Sequence, residues 1–362
     1  MKDAIKTIKL RSILKQDTFF IISGKHSFFK SKFKDKFKLS DSNNIFLKKK
    51  KYPDVKELKK ILSKINTHKP KFIVAIGGGS VLDYAKLVSC LYKLKKINFS
   101  KITKHNFKKK IKVIAIPTTA GSGAEVTPNC VLYNNKKKLS LHGQDLKPDY
   151  FYLDHFLLKG LSKMHKSAAA YDAMCQAVES FIANKSNTKS RNFSKKSISI
   201  ILKNIKNYLK KSDKKSTSQM LIAANLAGRA IGISETTAPH AISYGFTAFY
   251  NVPHGHAVVL TLLIILNFNY QKILVDQKKY KSSLIKYNLL FKIFKVKNIF
   301  ELIKKLKKIF KIYEFKFKSR SKFSTSKILF GINTRRLRNN PVEISKEDLR
   351  IILEKVKKNQ VY

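Results

Sequence analysis

The sequence predicts an α/β amino-terminal domain over residues 1–155 followed by an all-α carboxyl-terminal domain over residues 156–362. Three observations carry this expectation. Two continuous apolar runs, 71–76 (KFIVAI) and 111–116 (IKVIAI), each break into glycine- and hydroxyl-rich text, as strands buried on both faces of a parallel sheet do. From about Lys163 the pattern changes to long helical periods with few strand-like runs. A chain of 362 residues is also too long for one simple core and long enough for two.

Taken in order, residues 18–23 (TFFIIS) lead into Gly24-Lys25 and read as a first buried strand ending in a turn. Residues 44–47 are a second short strand candidate that enters the lysine run 48–51. After Pro53, residues 54–66 place Val55, Leu58, Ile61, Leu62 and Ile65 at helical spacing, which gives one amphipathic helix. The 71–76 strand opens directly into Gly77-Gly78-Gly79-Ser80 and a helix that Ser80 caps together with Asp83. Glycines there let the backbone approach a ligand closely, and the exposed N–H groups of a helix start suit a pyrophosphate. The spacing is not the GxGxxG fingerprint, and a triple glycine is also what an ordinary tight turn uses.

The 111–116 strand delivers Pro117-Thr118-Thr119-Ala120-Gly121-Ser122-Gly123 in the same way. Two such loops after two successive strands fall on one edge of the sheet, where open α/β sheets bind ligands. Ordinary turn chemistry is the alternative. In the second half, 167–183 and 217–231 are small-residue-rich helices able to pack closely, and 299–313 is an amphipathic helix with a solvated lysine face. Ser345 and Asp348 open a last helix with a capping box.

The stretch 236–256 (TTAPHAISYGFTAFYNVPHGH) holds His240 and His254, the second on a tight Val-Pro-His-Gly turn. Neutral imidazole is the commonest protein ligand of a catalytic transition metal, but two imidazoles rarely complete a site. A carboxylate comes from 171–179 (YDAMCQAVE), where Asp172 and Gln176 stand four apart and so project from one helix face toward a common point. One aspartate and two histidines with an open fourth position suit a divalent ion acting as a Lewis acid. The alternative is a pair of solvated or hydrogen-bonded core histidines and a merely polar helix face.

Composition bounds the rest. The longest apolar run, 257–266, is about half of what a bilayer requires. The amino terminus MKDAIKTIKLRSILKQD scatters its charges and lacks the apolar core and cleavage site of a signal peptide, so neither a membrane nor export is expected. Cys90, Cys130 and Cys175 are an odd number without paired spacing, which argues for reduced thiols in the cytoplasm. With 76 Lys plus Arg against 22 Asp plus Glu the net charge is +54. Such an excess normally suggests a nucleic-acid or anionic-membrane partner. Here lysine is spread over the whole chain alongside many Ile, Asn, Phe and Tyr, which looks like genome-wide codon drift. No recognition module or basic-aromatic interleaving can be named, so no specific nucleic-acid partner is expected.

These residues converge on a known family. GGGSVLDYAK from Gly77, PTTAGSGAEVT from Pro117, DAMCQAVES from Asp172 and PHAISYGFTAFYNVPHGHAV from Pro239 resemble, in order and spacing, the signatures of iron-containing (group III) alcohol dehydrogenases. The closing NNPVEISKEDL fits as well, so the resemblance runs from about residue 18 to the end. It implies the dehydroquinate synthase-like fold of that family, an amino-terminal NAD(P)-binding domain and a helical metal-binding domain, with the reaction in the cleft between them. TTAPHAISY and PHGHAV further resemble the branch that reduces phosphonoacetaldehyde to 2-hydroxyethylphosphonate. Another small-aldehyde or diol dehydrogenase of the same family is the alternative, and a nonenzymatic basic binding protein with a degraded metal site is a second.

Carried over by position, the resemblance implies metal ligands at Asp172, His240 and His254, with Fe(II) the expected ion and zinc another. The remaining family histidine falls on Gln176, whose neutral amide oxygen is a poorer donor for iron or zinc. Tyr244 stands where many members carry a further histidine, so Tyr244 or His256 is expected to relay the proton. Gly78, Gly79, Ser80 and Asp83 are implied near the pyrophosphate and ribose of NAD(P)H, and Thr118, Thr119, Ser122 and Lys138 along the rest of that groove. Leu47 and Lys48 stand where NAD-selective members tend to hold an acid, so NADPH is expected to serve at least as well as NADH. Arg229, in a small-residue helix, is the expected partner of a substrate phosphonate. The alternatives for it are a surface position or a pair with a carboxylate such as Glu179. A small-molecule aldehyde is the expected partner, and a homodimer is left open.

Overall fold

The structure is a computed structural model that describes residues 4–16, 18–29, 35, 44–134 and 137–361. Of the amino-terminal stretch read above for a targeting signal, Met1, Lys2, Asp3 and Asp17 lie outside the described residues. The chain divides into two units, Met1–Leu161 and Ser162–Tyr362.

In the first unit, α1 (Thr7–Gln16) precedes β1 (Phe19–Gly24), the short α2 (Lys25–Phe29) and β2 (Ile45–Lys48). Then come α3 (Val55–Asn66), β3 (Phe72–Gly77), α4 (Gly79–Leu91) and β4 (Lys112–Pro117). The hairpin strands β5 (Asn129–Asn134) and β6 (Lys137–His142) and the two-residue β7 (Tyr150–Phe151) complete it. The strands run β2-β1-β3-β4-β7 in one parallel sheet, and β5 and β6 pair antiparallel beside it.

The apolar runs are continuous because both sheet faces are covered. Ile73, Ala75, Val113 and Ala115 join one core with Leu58, Ile61 and Ile65 of α3 and Val81, Tyr84 and Val88 of α4. Asp54 starts α3, accepting from the Glu57 amide at 2.7 Å. The register sets Gly77 opposite Pro117, so the loops after β3 and β4 leave the sheet side by side. Neither α1 nor the hairpin was expected from the sequence.

The second unit contains helices and no named strand among the described residues. In order they are α5 (Lys163–Ile182), α6 (Thr188–Lys210), α7 (Lys214–Ser234), α8 (Ala238–Tyr250) and α9 (His254–Val275). They are followed by α10 (Lys281–Phe294), α11 (Ile299–Phe310), α12 (Thr325–Phe330), α13 (Thr334–Leu337) and α14 (Lys346–Lys358). α5 packs on α6, α7 and α9, and α9 packs on α8, α10, α11 and α14. The capping box at α14 forms as read, with Ser345 and Asp348 each bonding the other's backbone N–H. The apolar run 257–266 sits inside α9, one helix that is long and apolar enough to cross a membrane by length and composition. Within this unit it is a core helix, burying Val258, Leu262, Ile265 and Leu266 and pairing Asn269 with Asn340.

Candidate active site and metal centre

Helix α5 presents Asp172, Gln176 and Glu179 along one face, at spacings of one and two turns. Helix α8 begins with Thr237 as N-cap and Pro239 in its first turn, which brings His240 to the helix start. The buried carboxylate of Glu179 joins the two elements. Its Oε1 accepts from the Thr237 amide at 3.0 Å, the Thr237 hydroxyl at 3.1 Å and the His240 amide at 3.2 Å. Its Oε2 bonds Nδ1 of His240. An anion here satisfies free N–H groups of the helix start and complements the helix dipole. With Nδ1 so engaged, the His240 Nε2 faces Asp172 Oδ1 at 3.1 Å.

The third donor arrives through a turn. α8 ends on Asn251 in the left-handed conformation (φ 54°), and Pro253 caps α9, whose first residue is His254. A Cβ at Gly255 would stand 1.8 Å from the Ala168 carbonyl oxygen, so the start of α9 lies directly on the backbone of α5. His254 Nε2 thereby comes to 3.9 Å from Asp172 Oδ1. Donor atoms of Asp172, His240 and His254 all lie within 4.8 Å of one another.

This donor set fits a divalent ion: two imidazoles and a carboxylate converge, and their second partners hold them in place. Gln176 adds to the fit. Its side chain hydrogen-bonds Asp172, while its buried Oε1 has no hydrogen-bond partner among the described residues. Without metal the charges compensate one another. Burial disfavours a charged His240, but the Glu179 and Asp172 carboxylates outweigh it and raise the imidazole pKa. Burial likewise works against an ionised Asp172, but the bond from His240 and the nearby His254 hold its carboxyl below the usual range.

The other expected residues separate. The Tyr244 ring stacks against His254, with centroids 6.1 Å apart and planes at 21°. His256 turns elsewhere, its Nε2 bonded to Ser167 Oγ at 2.9 Å and its ring edge-on to Tyr171. Burial pushes its pKa down to about 4. Arg229, half-buried on α7, donates from Nε to Asn225 Oδ1 at 2.9 Å. Glu179 is held by Thr237 and His240 through Oε1 and by His240 Nδ1 through Oε2. Glu179 itself was not read as part of the site. Its signal was available, an acid seven residues after Asp172 on the same helix face.

In the first unit Gly78, not Ser80, is the N-cap of α4, and no side chain caps that helix. The expected Ser80–Asp83 box therefore does not form. Asp83 turns away to accept from the Val131 amide of β5 at 3.1 Å, with Lys86 Nζ at 3.9 Å. A capless, glycine-built helix start with no acid in its first turn suits a pyrophosphate. The two glycine loops touch: a Cβ at Gly78 would meet Thr119 Cγ2 at 3.5 Å, and one at Gly79 would meet Ser122 Oγ at 3.0 Å. Thr118 bonds Ser27 through the hydroxyls at 3.3 Å, and Lys138 lies on β6 opposite Tyr133. At the end of β2, Lys48 Nζ reaches forward onto the Lys50 carbonyl at 2.7 Å. A carboxylate does stand near this loop, contrary to expectation. It is Glu57 of α3, which accepts from the Lys49 and Lys50 amides and from the Tyr84 hydroxyl.

Comparison with known proteins agrees with this arrangement. Residues 3–155 match the iron-containing alcohol dehydrogenase family, and residues 167–356 match the C-terminal region of the Fe-containing alcohol dehydrogenase family. The chain is 29% identical over 235 residues to aldehyde-alcohol dehydrogenase 2 of Entamoeba histolytica, a match covering 61% of this chain and 27% of that protein. It is 31% identical over 208 residues to phosphonoacetaldehyde reductase of Streptomyces viridochromogenes, covering 54% of this chain and 53% of that one. These matches thus span a quarter to a half of the curated relatives' own length. In fold the chain is similar to sulfoacetaldehyde reductase from Bifidobacterium kashiwanohense, solved in complex with NAD+ (TM-score 0.83, 21% identity, 98% of this chain and 94% of that chain).

Proposed function

Because the chain belongs to the iron-containing alcohol dehydrogenase family, we propose that it reduces a short aldehyde bearing an anionic group, phosphonoacetaldehyde first among the candidates, to the alcohol. The observation that carries this reading is the convergence of Asp172, His240 and His254. Similarity to a phosphonoacetaldehyde reductase supports the substrate class. When bound, the divalent ion supplies polarisation of the aldehyde oxygen, and NAD(P)H supplies the hydride.

The chain's own residues do the holding. Glu179 fixes the ring of His240, and Gly255 lets His254 approach Asp172. Tyr244 is our assignment for delivering the proton to the forming alcohol, because its ring lies on His254, whereas His256 is buried against Ser167 and stays neutral at working pH. The α4 start and the hydroxyls of the loop after β4, Thr118, Thr119 and Ser122, would hold the cofactor. Glu57 is occupied by loop amides and Tyr84, leaving lysines 49–51 to meet a 2′-phosphate, so kcat/KM with NADPH should equal or exceed that with NADH. A marked preference for NADH would refute this.

The deciding experiment follows nicotinamide absorbance with Fe(II)-loaded protein on phosphonoacetaldehyde, propanal and a diol. Phosphonoacetaldehyde should have the highest kcat/KM. A better rate on an uncharged substrate would assign another aldehyde or diol dehydrogenase activity of the same family. Gln176→His should tighten metal retention against a chelator by about tenfold or more, the size that losing even an outer partner of a ligand reaches. Unchanged retention would show that position 176 does not face the ion.

A further inference from the structure

We infer that Arg336 is the residue that reads the anionic group of the substrate, an inference that rests on the reading just given. Its guanidinium carbon lies 5.3 Å from the centroid of the Tyr244 ring, the same ring that stacks on His254. A cation therefore stands one aromatic ring from a metal-ligating imidazole, on the same unit as the whole ligand set.

The segment that carries it is pinned to the helix that carries the histidine. Asn333 donates its amide to the Ala241 carbonyl of α8 at 3.4 Å, and its side chain accepts from the Arg336 amide at 3.1 Å. Just before it, α12 and the following turn pack on α8 at a glycine pair. A Cβ at Gly245 would meet the Ile328 Cα at 2.8 Å, and one at Gly331 would meet the Gly245 Cα at 3.3 Å. Arg336 is thus placed by backbone contacts to the same helix that presents His240 and Tyr244.

What distinguishes Arg336 is the state of its donors. Among the described residues no hydrogen bond or ion pair engages its half-buried guanidinium, which lies over the Tyr244 ring. In a chain so short of acids an unpaired cation is common, so position decides. Arg335 next to it is spent on Glu235, through Nε at 3.1 Å and Nη2 at 2.6 Å. Arg229 gives its Nε to Asn225. A guanidinium held over an aromatic face makes no hydrogen bond to that ring plane through most of its N–H groups, so they stay available to a ligand. A forked pair of them matches two oxygens of a phosphonate, sulfonate or carboxylate, which an ammonium would meet only as a point charge. A short acid-bearing aldehyde places such a group two bonds from its carbonyl carbon, which suits a reader one ring removed from the metal ligands.

The test uses the full-length metal-loaded protein and compares wild type with Arg336→Ala, Arg336→Lys and Arg229→Ala. KM and kcat are measured on phosphonoacetaldehyde and on propanal, and binding of 2-hydroxyethylphosphonate is measured by calorimetry. Loss of a charged, forked contact should raise KM for phosphonoacetaldehyde about thirtyfold in Arg336→Ala with kcat little moved. Product affinity should weaken by a similar factor, propanal should lose at least ten times less, and Arg336→Lys should fall between. Equal losses on both aldehydes, unchanged affinity for 2-hydroxyethylphosphonate, or the same split appearing in Arg229→Ala and not in Arg336→Ala would each overturn the assignment. A wild-type protein that does not favour phosphonoacetaldehyde over propanal would instead overturn the substrate reading itself, and this is seen before any variant is made.

Discussion

A methyl group at Gly255 would stand 1.8 Å from the Ala168 carbonyl oxygen and 2.9 Å from the Asp172 amide nitrogen, both on helix α5. These are backbone atoms inside a helix and cannot rotate away. Gly255→Ala must therefore push the start of α9 off α5 and carry His254 away from Asp172. The expected outcome is a loss of about 1–3 kcal/mol in stability, the usual size of overpacking, together with loss of bound metal. Denaturant melts and metal analysis check it, and full metal content in a normally stable variant would show that the site does not depend on this approach. The sequence carried Asp172, His240 and His254 because ligand-type residues at a turn and on one helix face are local patterns. Gly255 was visible only as a turn residue, since its partner carbonyl lies far back in the chain. For Glu179 the place on the Asp172 face was legible, but its partners were not, because its bonds reach the backbone of a helix that begins 59 residues later.

At the scale of elements, the parallel strands β1 to β4 and the amphipathic α3 were legible from apolar runs and helical spacing, whereas the two-residue β7 is too short to leave such a run. The β5–β6 hairpin was not. In β5 buried Cys130 and Leu132 alternate with the half-buried Val131 and Tyr133 rather than with polar residues, so no apolar–polar period of two is written there, and the inward Leu141 of β6 sits in a short segment of lysine, serine and histidine. The hairpin is fastened to α4 by Asp83 and Lys86, whose Nζ donates to Thr127 Oγ1 at 3.0 Å and to the Asn129 carbonyl at 2.7 Å. Burial pushes the Asp83 carboxyl up to about 6, more strongly than Lys86 pulls it down. Between about pH 4, where an unfolded aspartate titrates, and pH 6, the folded protein holds a proton that the unfolded chain has released. Asp83 therefore adds stability as pH falls through this window and withdraws it as pH rises through 6. Asp83→Asn removes that dependence, so it should be more unfavourable at pH 4.5 than at pH 7.5, by up to roughly 2 kcal/mol. Urea melts of both proteins at the two pH values measure it, and the same stability difference at both would mean that Asp83 titrates as it does in the unfolded chain.

Across the whole molecule the unbalanced quantity is charge, +54 over 362 residues. Several of the few acids are already engaged: Asp172 and Glu179 at the site, Asp83 at the α4–hairpin junction, Glu57 on the loop after β2, and Glu235 with Arg335 and Lys185. Few carboxylates remain to neutralise the lysines that cover the exposed helix faces. Two consequences have the same cause. Self-repulsion opposes the compact state at low ionic strength, so the melting temperature should rise as salt is added. Polyanions should bind by releasing counterions, with no preference for sequence. If six to ten phosphates are contacted, duplex affinity should fall by about 10³-fold or more between 50 and 200 mM salt. Titrating two unrelated duplexes across that range distinguishes this from evolved recognition. Parallel, steep salt slopes for both follow from the lysine excess alone. A duplex held tightly at 200 mM while the other is released would require base contacts, and the basic surface would then be a second functional site of the protein.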